Sequence, residues 1–130
     1  MSWTFAGTSG VASNGSALTA QNPVAPQGSQ VAFLGAGGDI SQGLSGWAAG
    51  TYQIRLFAAQ LAGNAAPQDF QVLIDGVVVD AFVPTGTDYA QYTTKAFTVS
   101  AGPHTVEFQT LNSAGGNGTV LLDYVEVLPL

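Results

Sequence analysis

Phe70-Gln71-Val72-Leu73-Ile74-Asp75-Gly76-Val77-Val78-Val79 is the stretch of sequence that decides the fold of this chain. In its first half Phe70, Val72 and Ile74 alternate with Gln71 and Leu73, at the two-residue period of a β-strand. Asp75-Gly76 then gives a two-residue turn signal, because both residue types tolerate the positive φ that a tight hairpin turn needs. The apolar run that follows predicts an antiparallel return strand, which continues to Val83.

Similar runs, separated by turn residues, lie on both sides of this hairpin. They predict further strands over 31–34, 39–44, 51–60, 92–99, 104–111 and 119–127. Strands recur roughly every ten residues and no helical period is present, which favours two packed antiparallel sheets. The sequence therefore predicts an all-β fold, an antiparallel β-sandwich of jelly-roll type with about eight strands. We expect residues 1–130 to form a single domain, in which the Gly-, Ser- and Pro-rich residues 1–30 are a loop-rich segment with one short strand.

Two of the predicted strands are apolar on both faces. They contain the runs Val77-Val78-Val79 and Val120-Leu121-Leu122. Such runs are typical of central strands that are covered on both sides, or of an edge strand buried against a partner.

The charge of the chain excludes several classes of partner. Arg55 and Lys95 are its only cations, against eight carboxylates, and the formal net charge is −6. So few cations cannot neutralise the phosphates of a nucleic acid or adhere to an anionic membrane surface. No stretch approaches the roughly 18 apolar residues of a membrane span, so we expect no membrane insertion.

The side chains that catalysis needs are scarce, and the sequence predicts that the protein is not an enzyme. There is no cysteine, and His104 is the only imidazole, without a nucleophile in any recognised motif. Most of the carboxylates fall at turns or strand ends, where they satisfy local backbone donors. Arg55 and Glu107 occupy polar positions of their strands, which would allow an ion pair between them across a sheet.

Several segments, taken in order, carry a resemblance to a known family. They include Phe57-Ala58-Ala59-Gln60, Val72-Leu73-Ile74-Asp75-Gly76, Ala101-Gly102-Pro103-His104-Thr105 and Leu122-Asp123-Tyr124-Val125. The series resembles the galactose-binding-like jelly-roll domains of bacterial secreted and surface proteins, many of which are carbohydrate-binding modules. It extends from about Trp3 to Val127. The resemblance implies a non-catalytic binding or adhesion module that takes a glycan and works outside the cell or at the cell surface.

The resemblance also bears on metal binding. In such domains the aspartate at the position of Asp123 helps to hold a structural calcium ion, together with an acid from an N-terminal strand. The segment that carries that acid has no counterpart in these 130 residues. The resemblance therefore leaves a structural calcium at Asp123 open, and no other cofactor is predicted.

A sugar site needs an aromatic ring to stack on an apolar sugar face, and amides or carboxylates to meet hydroxyl groups. Three aromatic residues lie in or near predicted loops, and glutamine and asparagine residues lie on strands or strand ends, with Gln53 and Gln71 in this wider set. The predicted ligand contacts are Trp47, Gln60, Tyr89, Tyr92, Gln109 and Asn112.

A second function from another class stays open. The mean hydropathy is +0.27, which is high for the surface of a freely dissolved monomer. This value fits a structural assembly protein, such as a capsid decoration or fibre subunit of a virion, or a cell-surface subunit. A protein of that kind would form a homo-oligomer through apolar faces or an exposed strand edge, with a protein surface as its partner. The sequence favours carbohydrate binding over this alternative.

Overall fold

The computed structural model describes residues 4–6, 9–13, 30–35, 38–60, 69–84, 86–110 and 119–130. Within these ranges the chain forms strands and no helix, so no described helix is long and apolar enough to cross a membrane. In chain order the strands are β1 (Thr4–Ala6), β2 (Ser9–Ser13), β3 (Gln30–Gly35), β4 (Asp39–Trp47), β5 (Gly50–Gln60), β6 (Phe70–Ile74), β7 (Val77–Phe82), β8 (Ala90–Thr93), β9 (Phe97–Val99), β10 (Gly102–Thr110) and β11 (Thr119–Pro129).

The strands form two antiparallel sheets. The first sheet has the order β1-β4-β10-β6-β7, and the second has the order β2-β3-β11-β5-β8, with β9 also paired to β5. Most neighbours in a sheet are far apart in the sequence, as the long crossing connections of a jelly roll require. The predicted all-β sandwich is therefore confirmed.

The number of strands differs from the expected eight or so, because the described residues form eleven. One reason is that both β1 and β2 lie in the first thirty residues. Another is that β8 and β9 replace the single strand predicted over 92–99. Between them the Thr94 hydroxyl accepts a hydrogen bond from the Ile54 backbone N–H at 3.0 Å, and the Thr94 N–H donates to the Ile54 carbonyl at 2.9 Å. These bonds interrupt the regular ladder along β5 and divide the partner strand.

The hairpin predicted between β6 and β7 is confirmed. Asp75 and Gly76 both have positive φ, 52° and 82°, as a two-residue turn between antiparallel strands requires. β7 lies at the edge of its sheet, so Val77 and Val78 are 66% and 50% exposed. The other doubly apolar run, on β11, is central in the second sheet and is buried.

The core fills the space between the two sheets. Ile54 and Leu56 of the second sheet and Phe70 and Phe108 of the first are at most 1% exposed and belong to one cluster of buried apolar side chains. Because strand residues alternate between faces, the immediate neighbours of these core residues along each strand point away from the core. Each sheet consequently has an outer face, and the two outer faces point in opposite directions.

Candidate functional site

The outer face of the first sheet carries a row of polar side chains on three adjacent strands. Asp39 of β4 is the register partner of Gln109 of β10, and Gln109 is the partner of Gln71 of β6. Glu107 lies two residues before Gln109 on the same face of β10. We call these four residues the amide-acid row. All four are partly buried, which leaves part of each side chain open to solvent.

Hydrogen bonds join the side chains of the row into one network. The Gln71 amide Nε2 donates to Gln109 Oε1 at 2.7 Å. The Gln109 amide Nε2 in turn donates to Asp39 Oδ2 at 3.3 Å. Each bond fixes the rotamer and the amide orientation of its partners, so part of the entropy cost of ordering them is met before any ligand arrives.

Glu107 completes the network through a hydrogen bond to Asp39. This bond raises the pKa of Glu107 to about 7, and burial and the charge of Asp39 act in the same direction. At mildly acidic pH Glu107 therefore holds a proton, which it donates to Asp39. The row then contains amide and carboxyl donors beside amide and carboxylate acceptors.

Apolar groups border the row on the β7 side. Leu73 of β6 pairs with Glu107 on one side and with Val78 on the other, and Ala81 pairs with Gln71. Val78 and Ala81 are exposed, whereas Leu73 is 7% exposed. The face thus offers hydrogen-bonding groups next to exposed methyl groups.

This combination suits a ligand with many hydroxyl groups and apolar C–H faces. An amide has two N–H donors and two lone pairs on its oxygen, so each glutamine of the row retains capacity after its bonds within the network. Three adjacent strands span roughly 10 Å, since neighbouring strands lie about 4.8 Å apart. The row is therefore an extended, preorganised surface rather than a deep pocket.

Of the six predicted ligand contacts, Gln109 is the one that lies in this row. Trp47 is 9% exposed and packs edge-on against Tyr52, with ring centroids 4.9 Å apart. Tyr92 is partly buried against the core, 5.3 Å from the ring of Phe82. Both rings are largely occupied by protein contacts.

Gln60, another predicted contact, is 6% exposed at the end of β5. Its amide Nε2 donates to the Pro84 carbonyl at 2.9 Å. This bond ties β5 to the segment that follows β7. Asn112 lies outside the described residues, so its role as a ligand contact stays a prediction.

Tyr89 and Asp123 interact on the second sheet's side of the molecule. The Tyr89 hydroxyl oxygen is buried and has no hydrogen-bond partner in the structure as described. Burial raises the pKa of this hydroxyl to about 12, and the Asp123 carboxylate adds to the effect. The Tyr89 side chain as a whole is partly exposed.

The resemblance leaves a structural calcium at Asp123 open, and the described residues hold no ligand set for it. No three His, Cys, Asp or Glu residues among them come together in a way that could hold a metal ion. Calcium needs six to eight oxygen ligands, several of them usually carboxylates. The described residues thus supply no cluster of acids at Asp123, and a structural calcium there stays an open prediction.

His104 is tied to the β6–β7 hairpin. Its Nδ1 hydrogen-bonds Asp75 Oδ2, and its Nε2 lies 2.7 Å from the Ser100 carbonyl. The bond to Asp75 raises the pKa of His104, and the contact with Ser100 adds to this. The same bond lowers the pKa of Asp75. This pair fastens the turn to β10.

The cross-sheet ion pair considered for Arg55 and Glu107 does not form, because the two residues lie in different sheets. Glu107 lies on β10 of the first sheet and Arg55 on β5 of the second. Arg55 instead pairs with Glu126 of β11, with Nη2 2.8 Å from Oε1. Adjacent strands place Arg55 opposite Glu126 in register, which the sequence alone does not show.

The row contains three residues that were not among the predicted contacts: Asp39, Gln71 and Glu107. Gln71 belongs to the wider set of strand amides, whereas the two acids carry no local signal of a site. Their proximity depends on β4, β10 and β6 being neighbours in that order. A predicted strand order would have been needed to find them.

Comparison with solved structures identifies the fold. A CBM36 carbohydrate-binding module in complex with calcium and xylotriose is 22% identical, with a TM-score of 0.67, over 95% of this chain and 92% of that chain. A family 35 carbohydrate binding module from Clostridium thermocellum is 16% identical, with a TM-score of 0.69, over 98% and 92%. A CBM61 module in complex with β-1,4-galactotriose is 12% identical, with a TM-score of 0.70, over 98% and 88%.

No protein-family model and no curated protein sequence matches the chain. At the identities of the solved structures, the likeness concerns the fold alone. The chain thus has the β-sandwich fold of carbohydrate-binding modules, as the sequence resemblance predicts.

Proposed function

We propose that this protein is a non-catalytic carbohydrate-binding module that holds a glycan on the amide-acid row. The observation that carries the proposal is the hydrogen-bonded series Gln71, Gln109 and Asp39, which crosses three strands of an outer sheet face. Sugar hydroxyls both donate and accept hydrogen bonds, and this series offers both kinds of partner. The modules of the same fold that are bound to xylotriose and galactotriose add support.

The geometry of the two acids favours binding over hydrolysis. Glycosidases use two carboxyl groups on opposite sides of the scissile bond, about 5 to 9.5 Å apart. Asp39 and Glu107 are hydrogen-bonded to each other instead. A sugar bond therefore cannot lie between them, and their role in the proposal is to accept and donate hydrogen bonds.

The proposed ligand is an uncharged polysaccharide. A net charge of −6 repels anionic chains at a distance, and both acids of the row would face them directly. As part of this proposal we infer an extracellular or cell-surface location, which the sequence resemblance also implies. The negative charge of the protein thus restricts the proposed ligand to uncharged polysaccharides.

Affinity gel electrophoresis tests the proposal. Native gels containing soluble arabinoxylan or β-1,4-galactan should retard the wild-type protein, whereas polygalacturonate should not. The double variant Gln71→Ala/Gln109→Ala removes two hydrogen-bonding amides, which should weaken binding about ten-fold. Gln53→Ala is the matched control, because Gln53 is a glutamine on β5 of the other sheet and hydrogen-bonds Thr94.

Two results would count against this function. One is a wild-type protein that migrates at the same rate with and without either neutral polysaccharide. The other is a double variant that is retarded as strongly as the wild type. The first result would refute carbohydrate binding itself. The second would show that the amide-acid row is not the binding site.

A further inference from the structure

The second sheet carries an aromatic surface on its own outer face. The rings of Phe57 and Tyr124 are stacked, with centroids 6.0 Å apart and an interplanar angle of 29°. Phe57 lies between the core residues Leu56 and Ala58 on β5, so its side chain points outwards. Tyr124 is 39% exposed. We call Phe57 and Tyr124 the aromatic platform.

Tyr124 is held in a backbone conformation that tyrosine rarely adopts. Its φ is 51°, in the left-handed region that costs a residue with a side chain about 1 to 2 kcal/mol. The register between β11 and β5 shifts between Asp123 and Glu126, so Tyr124 lies in a β-bulge. Glycine suits a bulge residue in this conformation best. A tyrosine here keeps a large ring at the surface despite the strain, as is common at binding sites.

Polar groups border the platform. Arg55 and Glu126 are register partners beyond the bulge, with 36% and 31% of their side chains exposed. Arg55 donates from Nε and Nη2 to the same Glu126 oxygen, at 3.1 and 2.8 Å. This pair uses two of the five guanidinium N–H groups. Gln91 of β8, opposite Phe57, is exposed as well.

The exposed Tyr124 ring, backed by the partly buried Phe57 and bordered by hydrogen-bonding groups, suits a pyranose ring. The apolar C–H face of the sugar packs on the aromatic ring, while its hydroxyls meet the polar margin. The only cation at this margin is already paired with Glu126, so an uncharged sugar fits better than an acidic one.

The platform and the amide-acid row lie on opposite sides of the sandwich. The row is on the first sheet and the platform on the second, with the core between them. Packed sheets are about 10 Å apart, and their outer faces point away from each other. A stiff polysaccharide lying across one face therefore does not reach the other.

We propose that the aromatic platform is a second glycan-binding face, and that the protein is divalent and joins two polysaccharide chains. This inference rests on the proposed function for the first face. It gives the molecule a further activity, the cross-linking of a neutral polysaccharide without any chemical change to it.

A bridging assay tests the inference. Arabinoxylan is immobilised on a plate, the protein is bound and washed, and fluorescent arabinoxylan is added. Wild-type protein should capture the labelled chain. Tyr124→Gly removes the ring and relieves the positive φ, and it should reduce capture about ten-fold per bound protein. Tyr124→Trp, which restores an aromatic surface, should retain capture, as should the control Val83→Ala, which trims a 51% exposed side chain elsewhere.

The outcomes separate the two proposals. A wild-type protein that binds the plate but captures no labelled chain would overturn divalency, and loss of plate binding by Gln71→Ala/Gln109→Ala would then show that the first face is the one that binds. Capture by Tyr124→Gly equal to that of the wild type would overturn the platform. A wild-type protein that does not bind the plate would overturn both proposals. Light scattering of the protein without glycan must show no oligomer, since bridging by a self-associated protein would also contradict a divalent monomer.

Discussion

Glu107→Gln tests the carboxyl pair in the amide-acid row. The hydrogen bond to Asp39 raises the pKa of Glu107 in the folded protein to about 7, from an ordinary value of 4.5. The folded state therefore holds this proton more tightly than the unfolded state does. The resulting stability is fully present below pH 4.5 and is lost as the pH rises through about 7.

The size of this stability change follows from the shift in the pKa of Glu107. At about 1.4 kcal/mol per pKa unit, the rise from 4.5 to about 7 corresponds to at most about 3 to 4 kcal/mol. Glu107 is partly exposed, and solvent screening reduces the expected contribution to about 1 kcal/mol. For a domain of this length, that is a change of about 3 to 5 °C in Tm.

Thermal unfolding followed by circular dichroism, at about pH 4.5 and about pH 8.5, measures this contribution. Between these values the wild type should lose about 1 kcal/mol more stability than Glu107→Gln. Glu126→Gln is the control, because Glu126 is in an ion pair with Arg55 rather than in a carboxyl pair. Equal pH slopes for the wild type and Glu107→Gln would refute the reasoning.

Three further substitutions test other parts of the structure. Asp75→Asn removes the carboxylate bonded to His104, so the pKa of His104 should fall towards 6.5 in an NMR titration; an unchanged pKa would show that this contact does not set it. Phe70→Ala empties a fully buried position and should cost about 3 to 5 kcal/mol in urea unfolding, and a loss below about 1 kcal/mol would contradict the described core. Tyr124→Gly should be about 1 kcal/mol more stable than Tyr124→Ala because φ is positive, and the opposite order would argue against the bulge.

Local patterns were sufficient to predict the fold. The alternation in Phe70–Ile74 and the Asp75-Gly76 turn depend on neighbouring residues, so they can be read without knowing the rest of the molecule. The break between β8 and β9 could not be predicted in this way. It depends on Thr94 bonding to Ile54, forty residues earlier in the chain.

The candidate site depends on pairing between distant strands. Gln71 and Gln109 are 38 residues apart in the sequence, and Asp39 and Gln109 are 70 apart. The sequence shows which residues are amides and acids, but the strand order decides which of them meet. The same limit explains why the sequence does not show that Arg55 pairs with Glu126 rather than with Glu107.

The aromatic residues show a second limit of prediction from sequence. Trp47 and Tyr92 lie near chain reversals, where exposed platforms are common, yet both pack against the core. Tyr124 lies in an apolar run that favours burial, and a one-residue bulge brings its ring to the surface. A single inserted residue changes which face of the sheet a side chain occupies, and no local sequence pattern predicts such a bulge.

Side-chain amide NMR gives the most direct test of the glycan-binding row. The Nε2 protons of Gln71 and Gln109 are assigned in a ¹⁵N-labelled protein, and xylotriose and β-1,4-galactotriose are added in turn. With at least one of these sugars, both signals should move with increasing concentration, whereas the amide of Gln60, buried against Pro84, should not. Signals of Gln71 and Gln109 that stay fixed while other residues of the protein respond would contradict a glycan seated on this face.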